Sequence, residues 1–347
     1  MNIGLFDIEA RLDRLTDNGD ILPTLDALVP WESFREALEV IYAHERKSNA
    51  GRKPFDVVLM FKILILQALY NLSDDEMEFQ IMDRLSFMRF LGLSIGDRVP
   101  DAKTIWLFRS KLEQFGLARE LFERFNGFLA EAGFAARKGQ IVDATIVHVP
   151  VQRNTPEENA AIKAGEPPVE KWSKAKRRQK DVDARWTQKR GVNHFGYKNH
   201  VEVDVGNKII RDSRVTDASV HDSNVFEEIL DEGNASKDVY ADSAYRSVEH
   251  ETALADMGFR PHLQRKGHRG HPLTDLEKRG NRTRSRKRSR IEHVFGAMWQ
   301  KTGGFLLRTI GIKMAEVKIG LCNLAYNMDR YRILQMQAIK RMMEGIV

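Results

Sequence analysis

Three carboxylates stand where carboxylates are costly: Asp143 in QIVDATIV, Asp242 in DVYADSAY and Glu292 in RSRIEHVFG. The first two lie in short apolar, β-branched runs that read as buried strands. The third lies in a helix laced with arginine. A carboxylate among core strands is expensive unless it is paired or holds a metal. Three of them beside segments rich in Lys and Arg point to a divalent-cation site acting on nucleic acid. Oxygen ligands without cysteine select a hard ion, Mg²⁺ or Mn²⁺. Two such ions about 3.5–4 Å apart would activate an attacking oxygen and stabilise the leaving one in phosphodiester displacement. Water or a DNA 3′-hydroxyl would then attack, and no Ser, Cys or Tyr nucleophile is needed.

The cations are bunched, which says more than the net charge of +6. Lys278, Arg279, Arg282, Arg284, Arg286, Lys287, Arg288 and Arg290 fall within one short stretch that runs into Glu292. Another nine lie between Lys171 and Arg190, among them Arg177 and Arg178. Like charges at this density repel one another unless an anion is present, and DNA is the fitting polyanion, a solvated charged face or disordered tail being the other reading of either cluster alone. Trp172 and Trp186 sit among the second group; aromatics beside Lys and Arg stack on unpaired bases, although either one could instead pin the segment to the core. Arg288 precedes Glu292 by one helical turn, so the two share a face. Contact with a phosphate and a plain ion pair with Glu292 both fit that spacing.

The remainder must position these residues. A chain of 347 residues is long enough for two domains. The single cysteine, Cys322, excludes disulfides and cysteine zinc sites within one chain. No window approaches the roughly 18 apolar residues of a membrane span, and the opening MNIGLFDIEARLDRL lacks the layout of a signal peptide. A cytoplasmic protein is expected.

Residues 1–48 read as an amphipathic helical segment that includes a helix over Trp31–His44, followed by a breaker-rich linker, Ser48–Pro54. Residues 49–135 read as an all-helical DNA-binding or dimerisation domain. In it Asp56 starts a helix through Tyr70, and Ser73 caps the next. From about Gly139 the pattern changes to short strands over Gln140–Val149, Gly196–Val205 and Lys208–Val215, the last two joined by a tight Gly206-Asn207 hairpin. A helix over Asp222–Leu230, a strand at Asp238–Ala241, a helix at Val248–Met257 and a strand at Arg260–Gln264 come next. A long helix carries Glu292, and a last one covers Lys313–Tyr331. This is a mixed α/β (α+β) sheet flanked by helices, spanning residues 136–335 and leaving 336–347 as a tail. Val151–Val192 fits no element and reads as a basic insertion after the first strand. With this order the fourth strand falls beside the first, bringing Asp143 and Asp242 together, and a later helix supplies Glu292 from the side.

The ordered set IVDATIV, ARW, GYKNHVEVD, VTDASVHDS, YADSAY and RIEHVFG, with the N-terminal GRKPFDVVLMFKILILQALYNLSDDEME, resembles the DDE transposases of bacterial insertion sequences. It is most similar to the IS-five-like group of the wider IS-four-like set, over about residues 50–335. The resemblance implies a ribonuclease-H-like catalytic core in which Asp143, Asp242 and Glu292 bind the metals. In the family's glutamate motif a Tyr, an Arg, the Glu and a Lys recur at set spacing. Arg288 and Glu292 match it, Ser285 stands at the Tyr position and Trp299 at the Lys position, with Lys301 the nearest cation. His221 and Asp222 match a further family pattern, which a helix N-cap also explains.

The resemblance further implies a nucleoid-associated transposase that binds inverted-repeat ends, cuts them, joins the 3′-hydroxyls to target DNA and works as a homodimer on DNA. Arg284, Arg286, Lys287, Arg288, Lys301, Trp186, Arg177 and Arg178 are the expected DNA contacts. A metal-dependent nuclease without strand transfer, a catalytically impaired DNA-binding descendant and a helical scaffold are the rival readings.

Overall fold

The computed structural model describes residues 7–43, 53–302, 304 and 306–345, with the side chains of Lys301 and Thr302 outside that description. Two units divide the chain: Met1–Phe125 with Leu321–Val347, and Asn126–Gly320.

The first unit is helical. It holds α1 (Asp7–Asp17), α2 (Leu22–Leu28), α3 (Arg35–Glu39), α4 (Val57–Tyr70), α5 (Asp74–Asp83), α6 (Leu85–Leu91), α7 (Ala102–Gln114) and most of α8 (Leu117–Leu129). Asp56 caps α4 as expected, its carboxylate accepting from the amides of Val58 at 2.9 Å and Leu59 at 3.0 Å. Asn71 closes α4 in the left-handed conformation at φ 52°, a state Asn tolerates. The helix is apolar on nearly every side because it is the unit's centre. Ser73 caps α5 by accepting from Glu76 N–H at 3.1 Å. The buried Arg109 of α7 spans Asp74 with two bonds of 2.6 Å and also reaches Gln67 of α4 at 3.0 Å. One bidentate guanidinium thereby ties three helices together. The helix expected over Trp31–His44 is instead α3 between two 3₁₀ turns, Trp31–Phe34 and Val40–Tyr42; His44 and most of the expected linker lie outside the described residues. No single helix among the described residues is long and apolar enough to cross a membrane.

The second unit is built on a mixed sheet. Its strands are β1 (Gln140–His148), β2 (Arg185–Lys189), β3 (Val192–Asp204), β4 (Ile210–Asp217), β5 (Asp238–Ala241) and β6 (Arg260–Leu263). β1 is central, antiparallel to β3 and parallel to β5. β6 adds in parallel beside β5, while β2 and β4 each pair antiparallel with β3. Three antiparallel strands (β1, β3, β4) followed by two parallel ones (β5, β6) form the ribonuclease-H-like arrangement that the resemblance implies. Side chains alternate across β1, so Val142 packs with Phe226, Val239 and Leu254 on one face. On the other, Val147 packs with Tyr197, Ala315 and Ile319. The remaining helices are α9 (Pro156–Lys163), α10 (Lys174–Arg177), α11 (Val248–Asp256), α12 (Asp275–Thr302) and α13 (Ile312–Met343), the last belonging to the first unit from Leu321 on.

Several expectations change. The basic insertion is folded: Thr155 and Glu158 form a reciprocal capping box on α9 with a proline in its first turn, Ser173 caps α10, and β2 joins the sheet. The helix expected over Asp222–Leu230 is two 3₁₀ turns, Asp222–Val225 and Glu227–Ile229, a tighter coil that sends Val225, Phe226 and Ile229 into the core. The β3–β4 connection is wider than a two-residue hairpin, because the Asp204 carboxylate accepts from Asn207 N–H at 2.6 Å and the left-handed residue is Lys208 at φ 59°. The last helix continues past Tyr331 to Met343.

Tyr197, Val201 and Val203 alternate along β3 with Lys198, His200 and Glu202, yet this polar face is also covered. Lys198 pairs with Asp222 at 2.8 Å and His200 meets Thr216 at 2.9 Å. Glu202 is fully buried, with neither carboxylate oxygen receiving a hydrogen bond. Burial therefore pushes its carboxyl well above the usual range. A raised folded-state pKa contributes stability that is present below the unfolded value and lost as pH rises through the folded one. Urea unfolding across pH should accordingly show Glu202→Gln gaining on wild type as pH rises, by about 1–3 kcal/mol at the alkaline end. A difference that does not change with pH would mean that Glu202 is ionised and paired.

Candidate active site

Asp143 occupies the middle of β1, opposite Val201 of β3. Alternation from the buried Val142 turns its side chain to the face on which Val147 packs, and its own side chain is 17% exposed. Its Oδ1 accepts from the amide of Ala144 at 2.8 Å. Asp242 directly follows β5, the parallel neighbour of β1. It caps a 3₁₀ turn, accepting from Ala244 N–H at 2.7 Å, a bond that fixes the carboxylate at the strand's carboxyl end. Glu292 is carried by α12.

One side chain joins two of these acids. Arg288 donates from Nη1 to Asp143 Oδ2 at 2.9 Å and from Nη2 to Glu292 Oε1 at 3.3 Å. The ion pair with Glu292, one of the two readings open in the sequence, is present and extends to Asp143. Burial is the main influence on Asp143 and raises its carboxyl; the Ala144 amide and Arg288 oppose that, and the nearby Asp242 adds to it, leaving it at about 6. The Asp143–Asp242 proximity expected from strand order is thus felt electrostatically.

α12 is placed by both of its faces. Ile291 and Val294, three residues apart, are fully buried and carry Arg288, one turn earlier, over β1. Gln264, just after β6, donates to Ser285 Oγ at 2.7 Å, while its own amide donates to Ala241 O at 3.2 Å. Ser285, at the position where the resemblance implies tyrosine, therefore ties α12 to the strand end that precedes Asp242. Arg265 and Asn281 add a reciprocal pair of bonds at 3.0 and 2.8 Å.

The cation cluster divides into held and exposed side chains. Arg284 turns to Asn281 at 3.3 Å, and Arg290 donates to the carbonyl of Val205. Arg282, Arg286 and Lys287 are exposed, and Lys278, Arg282, Ser285 and Arg286 line a shallow open groove along α12. In the insertion, Arg177 spends its guanidinium on the carbonyls of Trp172 and Glu170, whereas Arg178 stays exposed. Trp172 is buried and donates to Glu158 at 2.7 Å. Trp186 is half exposed and leans on Phe195 at 5.2 Å. Trp299 meets the His148 ring edge-on at 6.3 Å, and the side chain of Lys301 lies outside the described residues. His221 caps the first 3₁₀ turn after β4, meeting Ser223 Oγ at 2.7 Å, which is the local reading of that motif.

Sequence reasoning missed four features. β2 and β3 form a two-residue hairpin whose tip, Arg190-Gly191, has both φ values positive, 52° and 79°. Lys189 beside that tip is close enough to lower the Asp143 pKa. Tyr245 buries its hydroxyl without a hydrogen bond, within electrostatic reach of Asp143, Asp242 and Arg288; its motif was visible, its burial was not. His148 and His194 meet at 2.9 Å across strands, a pairing that needs the register.

Three carboxylates without a thiol form a hard-ion donor set, and Asp143 and Glu292 already share one cation. Among the described residues, however, no group of three His, Cys, Asp or Glu side chains is arranged to hold a metal ion. The cation between Asp143 and Glu292 is Arg288. The donors therefore fit a divalent ion in chemistry, and in this structure they are spaced by a guanidinium.

Arginine in the left-handed region at a hairpin tip costs about 1 kcal/mol relative to a residue that visits it readily. Arg190→Asn should stabilise the protein by roughly that amount in urea unfolding. Destabilisation would show that the Arg190 side chain makes a compensating contact.

Residues 135–328 match the family model described as Transposase DDE domain. Residues 10–111 match the one described as Transposase domain (DUF772). A cryo-EM structure of a piggyBac transposase synaptic complex with hairpin DNA aligns over 89% of this chain and 73% of that one, at 10% identity and a TM-score of 0.45.

Proposed function

The chain belongs to the transposase DDE domain family, and on that premise we propose that it binds the inverted-repeat ends of an insertion sequence, hydrolyses them and joins the freed 3′-hydroxyls to target DNA. The observation that carries the reading is the Asp143–Arg288–Glu292 bridge beside Asp242. Carboxylates on a central strand, on the end of its parallel neighbour and on a crossing helix are drawn together around a position that already holds positive charge. Asp143, Asp242 and Glu292 would hold Mg²⁺ or Mn²⁺, two ions per site, which supply a nucleophilic oxygen at neutral pH and neutralise the leaving one.

The chain's own residues do the rest. The Ala144 and Ala244 amides hold one oxygen of each aspartate, which leaves the other oxygen of each, the one Arg288 now meets on Asp143, oriented to receive a cation. The Ser285–Gln264 bond keeps Glu292 in register with Asp242. Arg286, Lys287 and Arg282 would neutralise backbone phosphates along α12 and set the DNA's position without reading sequence. Arg178 and Trp186 offer the insertion's contacts. Two ends must be held for joining, so a homodimer on DNA is the working assembly, with the helical N-terminal unit supplying end recognition.

Cleavage of DNA carrying the element's own ends, with Mg²⁺, Mn²⁺ or EDTA, tests this reading. Wild type should nick at the ends only with metal, and Asp143→Asn or Glu292→Gln should lower the rate by several orders of magnitude while binding persists. Tight binding without cutting under either metal would establish an inactive DNA-binding descendant. Cutting without joining of pre-cleaved ends would establish a nuclease.

A second test concerns the backbone grip. Replacing Arg286 and Lys287 by Ala should weaken binding to all sequences alike and reduce the slope of log affinity against log salt by roughly 2. An unchanged slope would assign those side chains to protein contacts.

A further inference from the structure

Arg288 takes from Asp143 the oxygen that a bound cation would need. Asp143 Oδ1 is held by the Ala144 amide at 2.8 Å, and Oδ2 is the atom that meets Arg288 Nη1 at 2.9 Å. The same guanidinium turns Nη2 to Glu292 Oε1 at 3.3 Å. A divalent ion entering between these carboxylates must compete with it, because two positive groups held by the same oxygens repel each other strongly in a partly buried site.

Released from the carboxylates, Arg288 still carries a planar fork of donors that matches a phosphate bidentately. It also sits on the helix that carries the exposed Arg282, Arg286 and Lys287. Building on the reading above, we propose that Arg288 is an exchangeable counter-cation. It neutralises Asp143 and Glu292 in the free protein and transfers to a DNA phosphate when the ion binds, so that ion and DNA binding are coupled through one side chain. By linkage, each ligand then tightens the other by the same factor.

The coupling is read by titrating Mn²⁺ into the full-length protein, with and without a saturating duplex carrying the element's ends. The duplex should tighten Mn²⁺ binding to wild type by at least about fivefold, within the usual range of coupling. Arg288→Gln without DNA should bind Mn²⁺ about tenfold more tightly than wild type, and the duplex should add little to it. Arg288→Lys, which keeps a cation above Asp143 and so avoids stranding the carboxylate, should bind Mn²⁺ as weakly as wild type. Adding Asp143→Asn to Arg288→Gln should remove the gained affinity. Equal Mn²⁺ affinity in wild type with and without duplex overturns the proposal, and that measurement needs no variant to fold. Gained affinity that survives Asp143→Asn overturns it as well, since the ion would then sit elsewhere. If wild type cuts the ends yet Mn²⁺ affinity does not respond to Arg288→Gln, this proposal alone falls. If Mn²⁺ and the duplex are coupled through Arg288 but no cutting occurs, the exchange stands and the functional reading falls.

Discussion

An aspartate placed mid-way along the central strand of a sheet is the constraint around which the second unit is arranged. Burial, with Asp242 adding to it, holds the Asp143 carboxyl at about 6 even with an arginine at 2.9 Å, so the position works against the fold unless positive charge is delivered to it. That requirement fixes α12 closely. Its rotation must put Arg288 over β1, which the buried Ile291 and Val294 achieve. Its axial position must put Arg288 level with residue 143, which the Ser285–Gln264 and Asn281–Arg265 bonds achieve. Glu292 then follows without further specification, since a residue one turn beyond Arg288 lies on the same face.

Much of this was legible because it depends on short-range pattern. Strand β5 was read with its observed bounds, since a short β-branched run closed by turn residues admits few alternatives. The caps at Asp56 and Ser73 were legible for the same reason. The adjacency of Asp143 and Asp242 followed from strand order. The insertion hid its structure for two different reasons. Thr155-Pro156-Glu157-Glu158 is a capping-box signature outweighed by the surrounding charge, so that signal was present and overlooked. The β2–β3 hairpin gave no comparable signal. A two-residue turn with positive φ at both positions favours Asn-Gly or Asp-Gly, and here the first position is Arg190.

Longer-range features lay beyond single-sequence reasoning. The contacts of His148 with His194 and of Trp299 with His148 depend on which strand ends and helices meet. The division of the cation cluster, by contrast, was readable in principle. Arg284 and Arg288 lie one turn apart on the stripe that continues to the apolar Ile291, while Arg286 falls on the opposite side. A run of arginines on a helix is two populations, one holding the helix to its sheet and the other facing solvent.

The departures from the family's glutamate motif take a different meaning in this light. A serine in place of tyrosine shortens the side chain, and Gln264 extends from the end of β6 to meet it, so the tie between α12 and the strand carrying Asp242 is kept by another pair of atoms. Trp299 in place of lysine removes a cation but lays a large ring against His148, leaving it partly exposed. Neither change touches the oxygens of Asp143, Asp242 or Glu292. Trp299 thus puts a neutral ring where the family's motif has a point charge. The carboxylates and the proposed grip on DNA therefore rest largely on different side chains. Arg288 alone among the described motif positions belongs to both, because it is bound to the carboxylates and shaped for phosphate.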